Sequence, residues 1–210
     1  MELNKDLIIV HFQEDFFDNT NQRIKNTVKE NLQPLVDAAQ TTDIHVSFWE
    51  DNTIANTASV IPIPPLSEKV SQLDAEKGLL NTDYPLKGTE IILAGGWFGS
   101  CINGAIETVM SSFVKSPIIK KTGELTIRIL ENAVYKQNNL LSELDDSKIV
   151  SGIQGAFNDS SAVSEPVVQN RGLRFKIIRT KTQEIITEQI VVPLPDKPKE
   201  RMFDVIFLID

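Results

Sequence analysis

Short, continuous apolar runs alternate with segments of helical spacing through the first half of the chain. Leu7-Ile-Ile-Val-His11-Phe-Gln13 is an apolar, largely β-branched run that breaks into Glu14-Asp15. A run of that kind predicts a strand buried on both faces. Asn and Asp around residues 18–21 mark a loop, and apolar residues then recur at 24, 28, 32, 35, 36 and 39, the period of a helix. An interior proline loses a hydrogen bond and clashes with the preceding turn, so Pro34 sets the start of the main helix near Asn31, with Pro34 in its first turn. Ile44 to Trp49 reads as a second strand, ending in Glu50-Asp51-Asn52. Residues 53–65 hold three prolines and read as a loop with at most a short extended piece. Residues 66–80 read as helical. Thr89 to Ala94 is a third buried strand, Gly95-Gly-Trp-Phe-Gly99-Ser100 a tight turn, and Cys101 to Val109 a helix beginning there. This alternation predicts an α/β fold of three layers, with strands 7–13, 43–49 and 89–95 parallel in one sheet.

The second half follows a different pattern. Pro117 to Ile129 reads either as a hairpin around Thr122-Gly123 or as a strand followed by a helix, and residues 134–148 read as helical. Residues 151–172, rich in Ser, Gly, Asn and Asp, read as a long loop. Arg174 to Thr180 and Glu184 to Val192 resemble two paired strands joined by a short polar turn, a β-hairpin. Phe203 to Ile209 is a last, very apolar strand, expected to be tied into a sheet because a free apolar tail invites aggregation. The whole chain, 1–210, is expected to form one α/β domain with a divergent C-terminal part over 111–210.

Composition narrows the function classes. Apolar residues make up 41% and charged residues 24%, ordinary for a globular protein. No apolar run approaches the roughly 20 residues that cross a bilayer, and the N-terminus lacks the basic and apolar regions of a signal peptide, so no membrane partner is expected. The net charge of −8 argues against nucleic acid, whose phosphates bind through Lys and Arg. One cysteine makes no internal disulfide, and with two histidines it makes no Cys/His zinc cage. No metal or cofactor is expected. This fits a cytoplasmic, reducing compartment, and is equally compatible with export by a route without a cleaved signal. The apolar C-terminal strands predict self-association, since a two-stranded ribbon needs a surface to pack on, either a sister subunit or, as an equally ordinary alternative, the chain's own core.

Four places invite chemistry. Cys101 follows a glycine-rich turn and opens a helix, where exposed N–H groups and the helix dipole favour thiolate and can hold a developing oxyanion; Gly95, Gly99 and Ser100 belong to that turn. A lone cysteine is otherwise a small buried hydrophobe. His11 ends the first strand, either as a base or as a core histidine satisfied by a backbone carbonyl. Glu50-Asp51 reads as a solvated strand end. Lys69, with Lys77 as its rival, lies before the third strand and is either an assisting cation or plain surface charge.

The order of these features resembles the isochorismatase-like (cysteine hydrolase) superfamily. The family's Asp-x-Gln-x-Asp-Phe corresponds to His11-Phe-Gln13-Glu-Asp15-Phe16, its Asn-Leu-x-Pro-Leu helix to Asn31 onward, and its aromatic-acidic turn to Phe48-Trp49-Glu50-Asp51. Its nucleophile motif, Gly-x-x-Thr-x-x-Cys-Val, corresponds to Gly95-Gly-Trp-Phe98-Gly-Ser-Cys101-Ile102. The match covers residues 6–110, and residues 111–210 depart from the family. The resemblance implies a Rossmann-like parallel sheet and a cysteine nucleophile at Cys101 attacking a small amide or carbamoyl substrate, with a lysine at about Lys69. The family's aspartate is replaced by His11 and its threonine by Phe98, and its metal-binding histidines after the second strand are absent. Two functions follow: a hydrolase working through a Cys101–His11 pair, or a catalytically inactive relative used for binding or assembly. An unrelated α/β domain with a structural cysteine is a third reading. If His11 is the base, Cys101 is expected to titrate below the free-thiol value of about 8.5.

Overall fold

A computed structural model describes residues 5–17, 21–53, 58–75, 84–97, 101–113, 124–135, 171–179, 184–190 and 201–209. Within these residues the elements are β1 (Lys5–Val10), α1 (Gln22–Ala39), β2 (Ile44–Glu50), β3 (Val70–Asp74), β4 (Glu90–Trp97), α2 (Cys101–Phe113), β5 (Glu124–Tyr135), β6 (Arg171–Arg179), β7 (Glu184–Ile190) and β8 (Arg201–Ile209). The strands form one eight-stranded sheet in the order β3-β2-β1-β4-β5-β8-β6-β7. Every neighbouring pair is parallel except β6–β7, which is antiparallel.

The predicted parallel core is therefore present. β1 aligns Val10 with Trp49 on one side and with Gly95 on the other. Both faces of these strands are buried, which is why they read as continuous apolar runs. Leu7, Ile9, Val46, Phe48, Ile92 and Ala94 join Val28, Leu32, Val36 and Ala39 of α1 in one cluster. Strand alternation turns Ile8, Val10, Trp49, Ile91 and Leu93 to the other face. There α2 packs on β4 and β1 and buries Ile102, Ala105, Ile106 and Val109.

Several boundaries differ from the sequence reading. α1 is one helix of 18 residues with Pro34 inside it, rather than a helix starting near Asn31. Pro34 lies on the exposed side, so the carbonyl it leaves unbonded faces water and the helix continues. Residues 66–80 do not begin as a helix: Val70–Asp74 is a strand paired in parallel with Val46–Glu50 of β2. Pairing with an open sheet edge outweighs the weak local preference of so short a segment; residues 76–80 lie outside the described residues.

Glu124–Tyr135 is one long strand, β5, which rules out a helix over 124–129 and takes in Val134 and Tyr135 from the segment read as helical; residues 117–123, the turn and other arm of the expected hairpin, lie outside the described residues. Its alternating Leu125, Ile127 and Ile129 are buried. The expected loop over 151–172 gives up Arg171 and Gly172 to β6; the rest of it, and residues 136–148, fall outside the described residues. The β6–β7 hairpin is as predicted, with Leu173 opposite Ile190 and Arg179 opposite Glu184. The last strand, β8, is tied into the sheet between β5 and β6. Among the described residues no helix is long and apolar enough to cross a membrane.

Candidate active site at the strand order reversal

From β1 the chain adds β2 and β3 on one side, then returns to add β4 and β5 on the other. The strand order reverses between β1 and β4, and in open parallel sheets ligands bind beyond the carboxyl ends of the strands at such a point. His11 follows β1 and Cys101 opens the 13-residue α2 after β4, so both predicted residues stand at this crevice.

Two glycines let the strands close on each other here. Gly95 has φ +94°, a conformation that side-chain-bearing residues rarely adopt. A Cβ on Gly96 would sit 2.7 Å from the Val10 carbonyl oxygen and 2.8 Å from the Cβ of Cys101. The root of the Cys101 side chain and the last carbonyl of β1, one residue before His11, thus both border Gly96. Cys101 is half-buried. Its position in the first turn of α2 favours negative charge on sulfur. Gly99 and Ser100 lie outside the described residues.

His11 is buried and has φ +46°, the only positive φ among described non-glycine residues. Two hydrogen bonds hold it: its backbone N–H donates to Trp49 O at 2.7 Å, and its Nε2 lies 2.6 Å from Ala75 O. Its ring stacks on Phe16 with centroids 5.7 Å apart. The imidazole therefore reaches across the end of β2 toward the end of β3, and its Nε2 contact is with that strand's side of the crevice rather than with Cys101.

The rim beside it is knitted by Gln13. Its Oε1 accepts from Asp51 N at 2.7 Å and its Nε2 donates to Asp51 O at 3.4 Å. Glu50 and Asp51 are not a solvated strand end: they are 5% and 4% exposed. Asp51 accepts from Thr53 through both its backbone N–H and its hydroxyl. Glu50 Oε2 accepts from Gln72 at 2.6 Å, while its Oε1 is buried without a hydrogen-bond partner among the described residues. Residues 58–60 fold back as a cover over the segment after β1, with Glu14 N donating to Ala58 O and Val60 N to Phe12 O, and Gln13 ties that segment to Asp51. Nothing in two adjacent acidic residues signals such a cover.

Lys69 stands elsewhere. Its Nζ donates to Thr42 O at 2.6 Å, just before β2, and its own carbonyl accepts from Val46 N. That is the amino end of the parallel strands, roughly 20 Å of strand away from the carboxyl end where Cys101 lies. The structure does not bring Lys69 to Cys101. Lys77 lies outside the described residues. His45, the second histidine, is buried against Asp6 with Nδ1 3.0 Å from Oδ1, in register across β1 and β2 and far from the crevice. The contacts of Ala75 and Phe16 with His11 carried no sequence signal, because any residue supplies a carbonyl and Phe16 reads as one more apolar residue.

No protein-family model and no curated protein matches the sequence. Among solved structures, the chain is similar to a MAR1 ribonuclease from Caenorhabditis elegans at 17% identity and a TM-score of 0.44, covering 74% of each chain. It is also similar to a hypothetical protein from Trypanosoma cruzi at 13% identity and a TM-score of 0.45, covering 79% of this chain and 88% of that one. Likeness at this level concerns the path of the backbone and says nothing about substrate or residue roles.

Proposed function

We propose that the chain is an isochorismatase-like hydrolase that cleaves a small amide or carbamoyl substrate with Cys101 as nucleophile and His11 as base. The observation that carries this reading is the crevice itself: at the strand order reversal, the root of Cys101 and the carbonyl of Val10, the residue before His11, both border Gly96. In the proposed reaction His11 takes the thiol proton and the thiolate attacks the carbonyl carbon. N–H groups of the first turn of α2 hold the oxyanion. The C–N bond breaks, the amine leaves with the proton from His11, and a thioester remains on Cys101. Water, giving its proton to His11, then attacks the thioester; the acid leaves and the thiol is restored. Lys77, two residues along the chain from Ala75, replaces Lys69 as the proposed assisting lysine.

The position of Lys69 at the far end of the sheet favours a second reading, an inactive relative that binds a ligand without turning it over. The two separate by mass spectrometry. The protein is mixed with a panel of small carboxamides and carbamoyl compounds, quenched in acid and weighed. Hydrolysis predicts an acyl adduct on Cys101, ammonia or amine release, and loss of both in Cys101→Ser. Absence of adduct and of release across the panel leaves the binding reading.

A further inference from the structure

We propose that the carbonyl of Ala75 is a positioning group that locks the imidazole of His11 with its proton on Nε2, leaving Nδ1 as the single proton-accepting nitrogen of the site. The lock follows from hydrogen-bond chemistry. A backbone carbonyl only accepts, so the ring atom 2.6 Å from Ala75 O must be the donor. A neutral imidazole carries one N–H, so the lone pair is on Nδ1.

The surroundings make the lock rigid. A left-handed backbone at a residue with a side chain is strained and persists only where its neighbours over-determine it. At His11 they do. The Trp49 carbonyl holds the backbone N–H, Ala75 O holds the far end of the ring, and Phe16 covers a face at an interplanar angle of 11°. Ala75 is itself fixed, because its N–H donates to Glu50 O at 2.8 Å. The ends of β1, β2 and β3 thus form one hydrogen-bonded frame around the imidazole. The two ring nitrogens then differ in address. Nε2 points along the frame to β3. Nδ1 is the nitrogen nearer the main chain of residues 10 and 11, and the Val10 carbonyl borders Gly96 together with the root of Cys101.

This inference rests on the proposed function only for the destination of the thiol proton: in that reading the proton moves from Sγ to Nδ1, giving thiolate and imidazolium, and returns to the leaving amine. The lock itself is tested on the full chain labelled with nitrogen-15 in its two histidines, His11 and His45. His11→Gln identifies which signals belong to His11, and its amide N–H can stand in for Nε2–H toward Ala75 O, so the fold is kept. His11→Asn serves the same assignment should that variant be unstable.

The expected spectrum between pH 7 and 8 has a protonated, pyrrole-type Nε2 and an unprotonated, pyridine-type Nδ1 for His11. An unprotonated Nε2, or an imidazolium with both nitrogens protonated over that range, overturns the lock. The rate of Cys101 alkylation against pH is measured on the same samples. A profile displaced in His11→Gln, together with that tautomer, supports Nδ1 as the acceptor. The expected tautomer with an unchanged profile overturns the hydrolase reading and leaves the lock standing.

Discussion

At Gly96 a single hydrogen in place of a side chain decides whether the crevice can form. Alanine there would bring its Cβ to 2.7 Å from the Val10 oxygen and 2.8 Å from Cys101 Cβ. One neighbour is backbone and the other is the first atom of a short side chain, so neither can swing aside. Gly96→Ala is expected to destabilise by about 1–3 kcal/mol, the usual cost of overpacking, and to change the rate of Cys101 labelling; thermal unfolding and alkylation measured together check this. Tyr84 offers a test away from the site. Burial, and then the nearby Asp6 carboxylate, push its phenol well above the ordinary value of 10.0. A group whose folded pKa is raised contributes stability that is complete below the unfolded pKa and drains away as pH climbs toward the folded one. Stability is therefore expected to fall above about pH 10, and Tyr84→Phe to flatten that fall in denaturant titrations at pH 9 to 11. An unaltered slope in the variant would remove Tyr84 as its source.

Single elements test the packing account in the same way. Leu32 of α1 is fully buried beneath the sheet, and Leu32→Ala is expected to cost about 2–5 kcal/mol in chemical denaturation. Pro34 sits inside the same helix with its side chain exposed. Pro34→Ala restores a helix N–H without touching the core, so it is expected to stabilise by about 1–3 kcal/mol. A loss instead would mean that Pro34 makes a contribution in the folded chain that alanine cannot supply. The elements legible in the sequence were those buried on both faces, such as Leu7–Val10, where one apolar run admits one reading. β3 was not legible, because Val70–Asp74 is a strand only by virtue of the β2 edge beside it. β5 was not legible as one strand, because nothing local joins its two parts across the interruption of its pairing with β4 between Leu93/Ile129 and Gly95/Val134. Asn31 reaches from α1 to Asn132 O inside that interruption, with Nδ2 at 2.9 Å, a contact no local pattern encodes.

On the scale of the whole molecule, the C-terminal strand is an interior member of the sheet: β8 pairs with β5 over Asp204–Ile209 and with β6 over its full length. Ending the chain before residue 201 would leave the β6–β7 ribbon without its neighbour. Such a ribbon is marginal alone, so the truncated chain is expected to lose cooperative unfolding of this part by circular dichroism. The candidate site was legible only as a location. Cys101 and His11 announce themselves as a thiol after Gly95-Gly96 and a polar residue ending an apolar strand, and the strand order puts both at one crevice. The direction of the His11 ring depends on Ala75, 64 residues away in sequence, and the place of Lys69 depends on β3 being a strand. The account stands most directly on the alkylation rate of Cys101 as a function of pH, in the native protein and in His11→Gln. A Cys101–His11 site predicts rapid labelling near neutral pH that slows by at least about tenfold in the variant, a modest share of what a positioned base supplies. Labelling as slow as a buried thiol's, and the same in both proteins, would contradict it.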